Sequence, residues 1–147
     1  MRKIILFALA VSCAVTRADG IVGRWKTVDD ETGKPKSIVE IFKDGDQFKA
    51  KVVELINPDE PNPRCKHCPD DKKDKPVIGI EFMWDMKETK PGMEWSQGHI
   101  MDPKNGKVYR CKMHLEDGGE KLDVRGYLGF SFIGRTQTWL REKAPAG

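Results

Sequence analysis

The residues best equipped for chemistry lie in "RCKHC", residues 64–68, where two cysteines flank a histidine. Three functions fit that spacing. Cys65 and Cys68 could hold a metal, exchange electrons as a dithiol, or be joined to each other. A redox dithiol needs a thiol of lowered pKa, usually at a helix N-terminus. Here Pro69, Asp70 and Asp71 follow in a polar loop, and nearby carboxylates raise a thiol pKa. A zinc site needs four ligands, usually in two spaced pairs. The chain has one Cys-x-x-Cys, and His67 lies inside it, where chelation by all three is strained. Cys65, Cys68 and Cys111 with a distant histidine remain the alternative metal set.

Other candidate chemistry is thin. Ser131 lacks a Gly-x-Ser-x-Gly setting. His114 alternates with Lys112 and Arg110 on a polar face. His99 shares a face with Trp95 and Met101 and is expected to point inward. Asp29, Asp30 and Glu31 occupy a turn without the spaced ligands of a calcium loop. No phosphate-cradling glycine loop appears. The expectation is a non-catalytic protein without a cofactor.

The first eighteen residues bear on the compartment. Arg2 and Lys3 precede the apolar run Ile4 to Val15, and Thr16-Arg17-Ala18 offers a cut before Asp19. The run is too short to span a bilayer. This is the pattern of a secretory signal peptide over 1–18, followed by one domain over 19–147. The expected location is the periplasm or the exterior. The alternative is a lipid anchor at Cys13, although the position three before it is Ala10 rather than Leu, Val or Ile. Loss of Arg2, Lys3 and Arg17 brings the 26 basic residues down to the number of acids, 23. The basic charge of the whole chain is thus a targeting feature, and no basic patch interleaved with aromatics suggests nucleic acid. No segment of the mature chain is apolar enough to cross a membrane as a helix.

Export makes a structural disulfide natural. The mature chain has three cysteines, so one is left over. Cys65–Cys68 closes about four residues and contributes roughly 2 kcal/mol in the chain-entropy model, against roughly 4 kcal/mol for a link to Cys111. Alternation turns Cys111 inward, where a free thiol serves as a small apolar filler. Cys65–Cys68 is the reading taken forward, with Cys111 the alternative partner. Either link pins the long 57–76 connection.

The elements that position these groups are strands. "KDGDQ", "DPKNGK" and "EDGGEK" supply hairpin turns. Between them apolar residues alternate: Tyr109, Cys111, Met113 and Leu115; Leu122, Val124 and Gly126; Phe48, Ala50 and Val52. Period two on a charged background predicts half-buried antiparallel strands. They fall near 22–28, 37–43, 47–56, 77–85, 94–101, 107–115, 121–127 and 134–142. Hairpins in series remove their edges by closing, so the expected fold is an all-β, antiparallel up-and-down barrel of about eight strands. Gly23-Arg24-Trp25 opens the chain and Trp139-Leu140-Arg141 closes it. Trp25 beside Arg141 would seal one end, as in lipocalin-like barrels, by cation–π stacking.

The chain carries Trp25, Ile100, Asp102-Pro103, Asn105-Gly106-Lys107, Tyr109, Val124 to Tyr127, Gly129, Thr136 to Trp139 and Arg141. In these motifs it resembles a family of small secreted bacterial proteins known mainly as a domain of unknown function. Gln97-Gly98 stands where that family often has Gly-Gly, a difference expected to alter only a strand edge. The resemblance implies a lipocalin-like barrel in the periplasm or outside the cell, and no reaction.

Small barrels either fill with side chains or enclose one ligand. The candidate lining is Trp25, Phe48, Val52, Tyr109, Met113, Val124 and Trp139, for a small apolar or amphipathic ligand. Only 38% of the chain is hydrophobic, which leaves little to spare for a broad cavity and keeps the filled barrel as the alternative. A filled barrel would instead serve as a docking module for an envelope protein, through loop 57–76 or the rim at Phe130, Phe132 and Ile133.

Overall fold

The computed structural model describes residues 20–129 and 134–143. Residues 1–19, with Cys13, lie outside these, as do Phe130, Ser131, Phe132 and Ile133. Eight strands run in chain order: β1 (Gly23–Val28), β2 (Pro35–Asp44), β3 (Gln47–Leu55), β4 (Glu81–Lys90), β5 (Glu94–Met101), β6 (Val108–Glu116), β7 (Lys121–Tyr127) and β8 (Gly134–Arg141). Each pairs antiparallel with its neighbours, and β1 pairs with β8 to close the barrel. The connections after β1, β3 and β5 gather at one end, here the mouth, where the end of β7 also meets the start of β8. Those after β2, β4 and β6 gather at the other, with Gly20–Val22.

Seven strands lie within about two residues of expectation, and β4 does not. The apolar stretch Val77–Ile80 is a turn. Gly79 adopts φ 94°, its amide donates to the Val52 carbonyl at 2.7 Å, and the Ile80 amide donates to Val77 at 3.2 Å. Val77 and Ile80 are buried all the same, as a plug of loop rather than a strand. The strand runs on through the polar Lys87–Lys90, where pairing with β5 holds it. Hydrophobic content marked what is buried there, and cross-strand pairing decided what is strand.

A bulge in β5 corrects the expectation for His99. Trp95 pairs with Met113 and Gly98 with Cys111, so β5 spends one more residue than β6 over this interval. Gln97 takes φ 67° at that point. The Gln-for-Gly difference therefore falls on a left-handed bulge position rather than a plain strand edge. Beyond the bulge the alternation slips by one. His99 stacks outside on Trp84, with ring centroids 5.8 Å apart.

The 57–76 connection is tied down along its length. Cys65 and Cys68 form a disulfide, and Cys111 is a free, buried thiol. This corrects the alternative Cys65 or Cys68 link to Cys111. It also corrects the three-cysteine metal set, since two of its sulfurs are bonded to each other. Arg64 and Pro76 form an isolated bridge. The Arg64 guanidinium donates to the Asp74 carbonyl at 2.8 Å. Lys72, in a 3-10 turn at Asp70–Lys72, lies 4.9 Å from the Trp84 ring centre. The Sγ of Cys65 sits 3.4 Å from the Pro103 carbonyl oxygen. A bridged sulfur has no proton to donate, so this contact is packing.

Gly106 makes that packing close. It lies at φ 72°, and a Cβ there would fall 1.8 Å from the His67 carbonyl oxygen. The glycine of "PKNGK" thus serves both a hairpin turn and a seat for the disulfide loop. Gly106→Ala is expected to destabilise the protein by at least about 2 kcal/mol, through left-handed strain and displacement of the loop. Denaturant unfolding of the oxidised protein checks this.

Candidate functional site

The barrel is solid at one end and hollow at the other. At the closed end Trp25, Trp95, Met83, Met86, Met113 and Leu122 are fully buried. Phe48 meets Trp95 edge-on at 6.2 Å. Arg141 lies over the Trp25 ring, its guanidinium carbon 4.3 Å from the centroid. Its Nε donates to the Gly119 carbonyl at 2.6 Å and its Nη1 to Val22 at 3.4 Å. Its Nη2 donates to Gly20. The Trp25 indole N–H in turn donates to Ile21 at 2.8 Å. One cation thereby stitches the entering segment, the β6–β7 turn and the first strand together.

The mouth half holds a pocket of about 710 Å³ that opens to solvent at the rim. Its apolar wall includes Val39, Val52, Phe82, Ile100, Val124 and Trp139. Phe82 and Trp139 pack at 6.0 Å. Polar groups interrupt the wall. Thr27 and Ser37 share a hydroxyl–hydroxyl hydrogen bond of 2.6 Å, and the Trp139 indole N–H donates to the Gln137 amide oxygen at 3.4 Å. Tyr109 and Tyr127 also border the space.

The seven residues expected to line a cavity therefore divide. Val52, Tyr109, Val124 and Trp139 border it. Trp25, Phe48 and Met113 belong to the packed half and do not. Thr27, Ser37 and Gln137 were not anticipated. Their alternation was visible, but nothing in the sequence shows where filling stops.

Charges ring the mouth. Asp29, Glu31 and Asp102 face the space with Lys36, Lys104 and Arg135. Arg135 grips Asp30 through two guanidinium nitrogens and lies 3.7 Å from Glu31. The Arg135 hydrogen bond holds the Asp30 carboxyl below its ordinary pKa. Asp29 is lowered as well, first by the amides of Thr32 and Glu31 and then by Lys36 at 3.5 Å. Among the described residues no group of three or more His, Cys, Asp or Glu could hold a metal ion. No helix there is long and apolar enough to cross a membrane.

A closed eight-stranded antiparallel barrel, cation-sealed at one end and hollow at the other, defines a lipocalin-like protein. Residues 23–141 match the family described as "Uncharacterized protein conserved in bacteria (DUF2147)", and the chain belongs to it. No curated protein matches the sequence. The fold is similar to that of protein HP1028 from Helicobacter pylori, described as belonging to the lipocalin family. That likeness has a TM-score of 0.73 at 20% identity, over 84% of this chain and 83% of the other.

Two sets of outcomes follow, one from the closed end and one from the buried thiol of Cys111. Arg141→Ala removes the cation over Trp25 and three carbonyl contacts, and is expected to cost roughly 3 kcal/mol in denaturant unfolding, with Arg141→Lys in between. Burial pushes the Cys111 thiol from 9.0 up to about 12. The native state therefore holds its proton more tightly than the unfolded chain does. The contribution is complete below pH 9 and is lost as pH rises from there toward about 12. Stability measured across that window should fall, and Cys111→Ala should flatten the fall. At pH 8 iodoacetamide should spare Cys111 until the protein is unfolded.

Proposed function

We propose that this protein is a non-catalytic binder of one small amphipathic molecule, carried in the mouth of the barrel. The observation that carries this reading is the cavity of about 710 Å³, inside the range of roughly 300–1,000 Å³ typical of small-molecule sites. Its wall is apolar, its interior offers hydroxyl and amide groups, and its rim holds three acids and three bases. A head group of one strong charge would be repelled by half of that rim. The pairing of Asp29 with Lys36 and of Asp30 and Glu31 with Arg135 sets charges of both signs side by side around the rim. The ligand class that fits best is therefore an apolar body with a neutral or zwitterionic polar end. The leader sequence and the oxidised Cys65–Cys68 pair support a site of action in the periplasm or outside the cell.

Docking to an envelope protein is the second reading. It is favoured by the exposed apolar Ile78 and Leu128 on mouth-side loops, 46% and 59% exposed. Titration with N-phenyl-1-naphthylamine, an uncharged apolar dye, separates the two. A binder gives saturable one-to-one fluorescence. Val124→Trp, which fills the cavity, should weaken that binding by about tenfold or more, with the thermal midpoint followed as a control. Dye fluorescence that does not saturate, or that ignores the substitution, would discard the carrier reading in favour of docking.

A further inference from the structure

The seam that closes the barrel is fastened unevenly. β7 and β8 are paired through seven residues, Lys121–Tyr127 with Gly134–Leu140. β1 and β8 share two pairs, Trp25 with Arg141 and Lys26 with Leu140, both at the closed end. Continued in register, Thr27 would meet Trp139 and Val28 would meet Thr138, yet neither pair forms. β1 also shifts register against β2 between Thr27 and Val28. The exposed side chains of β8 lean to the other side. Thr136 Oγ1 accepts from Arg125, and Thr138 Oγ1 donates to Asp123, both on β7.

The unpaired stretch opens onto the cavity, because Thr27, Gln137 and Trp139 border that space. It also has a boundary at the top. The acids of the β1–β2 turn meet Arg135 there, through Asp30 on two nitrogens and Glu31 at 3.7 Å. The seam is thus a window framed by a strand ladder below and an exposed ion pair above. Strand ladders are cooperative and slow to open, whereas exposed ion pairs are weak and exchange readily. The upper boundary is the part that can give.

We propose that the gap between β1 and β8 is the door through which ligand enters and leaves the cavity, with Arg135 on Asp30 and Glu31 as its latch. This rests on the reading of the cavity as a binding site. Releasing the latch lets β1 and its turn swing from the upper half of β8, while the Arg141 seal keeps the lower half closed. An amphipathic molecule can then pass sideways, apolar part first, without crossing the charged rim.

The test uses the mature chain with Asp30→Cys and Arg135→Cys. One sample is bridged by a short bis-maleimide. A second is capped at both sites with N-ethylmaleimide, which matches the bulk without the tether. Cys111 is buried and Cys65 and Cys68 are bonded, so the new thiols are the reactive ones. Stopped-flow mixing with N-phenyl-1-naphthylamine reads both rates. The bridged form should take up and release dye about tenfold more slowly than the capped form. Added salt should speed exchange in the unmodified protein and leave the capped form unaffected. Equal rates in the bridged and capped forms would overturn the door and route the dye through the mouth. Absence of saturable dye binding in the unmodified protein would instead overturn the cavity reading, and the door with it.

Discussion

A guanidinium lying on an indole joins the first strand to the last. Arg141 covers Trp25 at 4.3 Å and gives its remaining donors to the carbonyls of Gly119, Val22 and Gly20. A meander of eight strands has two raw edges until this meeting takes place, and unpaired edges invite association with other chains. The seal also fixes where the interior can be full. Three of the four tryptophans are buried, and two of them, Trp25 and Trp95, sit in the half it closes. Large side chains concentrated at one end leave the other end underfilled. The hollow mouth is the complement of the packed base, and a chain of modest hydrophobic content can supply both.

The mouth is shaped by a different set of restraints. The β1–β2 turn is ordered by the Asp29 carboxylate, which accepts from the amides of Glu31 and Thr32 at 2.8 and 3.0 Å. The long loop is held by its disulfide, by Lys72 over Trp84 and by the close seat on Gly106. These contacts lie away from the Arg141 seal, and the two bridged sulfurs are themselves buried with the core.

The barrel was legible in the sequence because period-two alternation and Asp-Gly, Asn-Gly and Gly-Gly turns agree with each other over most of its length. Tyr109, Cys111 and Met113 on one side of β6 are the plainest case. What the sequence hid depends on partners distant along the chain. The bulge at Gln97 reverses which way His99 points, and it exists because β5 must keep register with β6. "VIGI" reads as a strand by composition, yet Gly79 turns it into a plug. Gly106 reads as a turn residue, and its second duty toward His67 appears only when loop and hairpin come together. Four of the seven residues expected to line a cavity border it, and three do not, for a similar reason. Inward direction follows from alternation, whereas height along the barrel, which separates Val52 from Phe48, follows from how neighbouring side chains share volume.

The pairing of β1 with β8 has a consequence for how the molecule is made. Every other ladder joins strands that are neighbours in the chain and can form as soon as both have emerged. The closing ladder joins Trp25 to Arg141, a contact of high sequence separation with a correspondingly large entropy of loop closure. Until Arg141 meets Trp25 the folding chain is an open sheet whose base is uncapped. Premature collapse of that sheet is the hazard, and a brief period of protection by a chaperone would carry the chain past it.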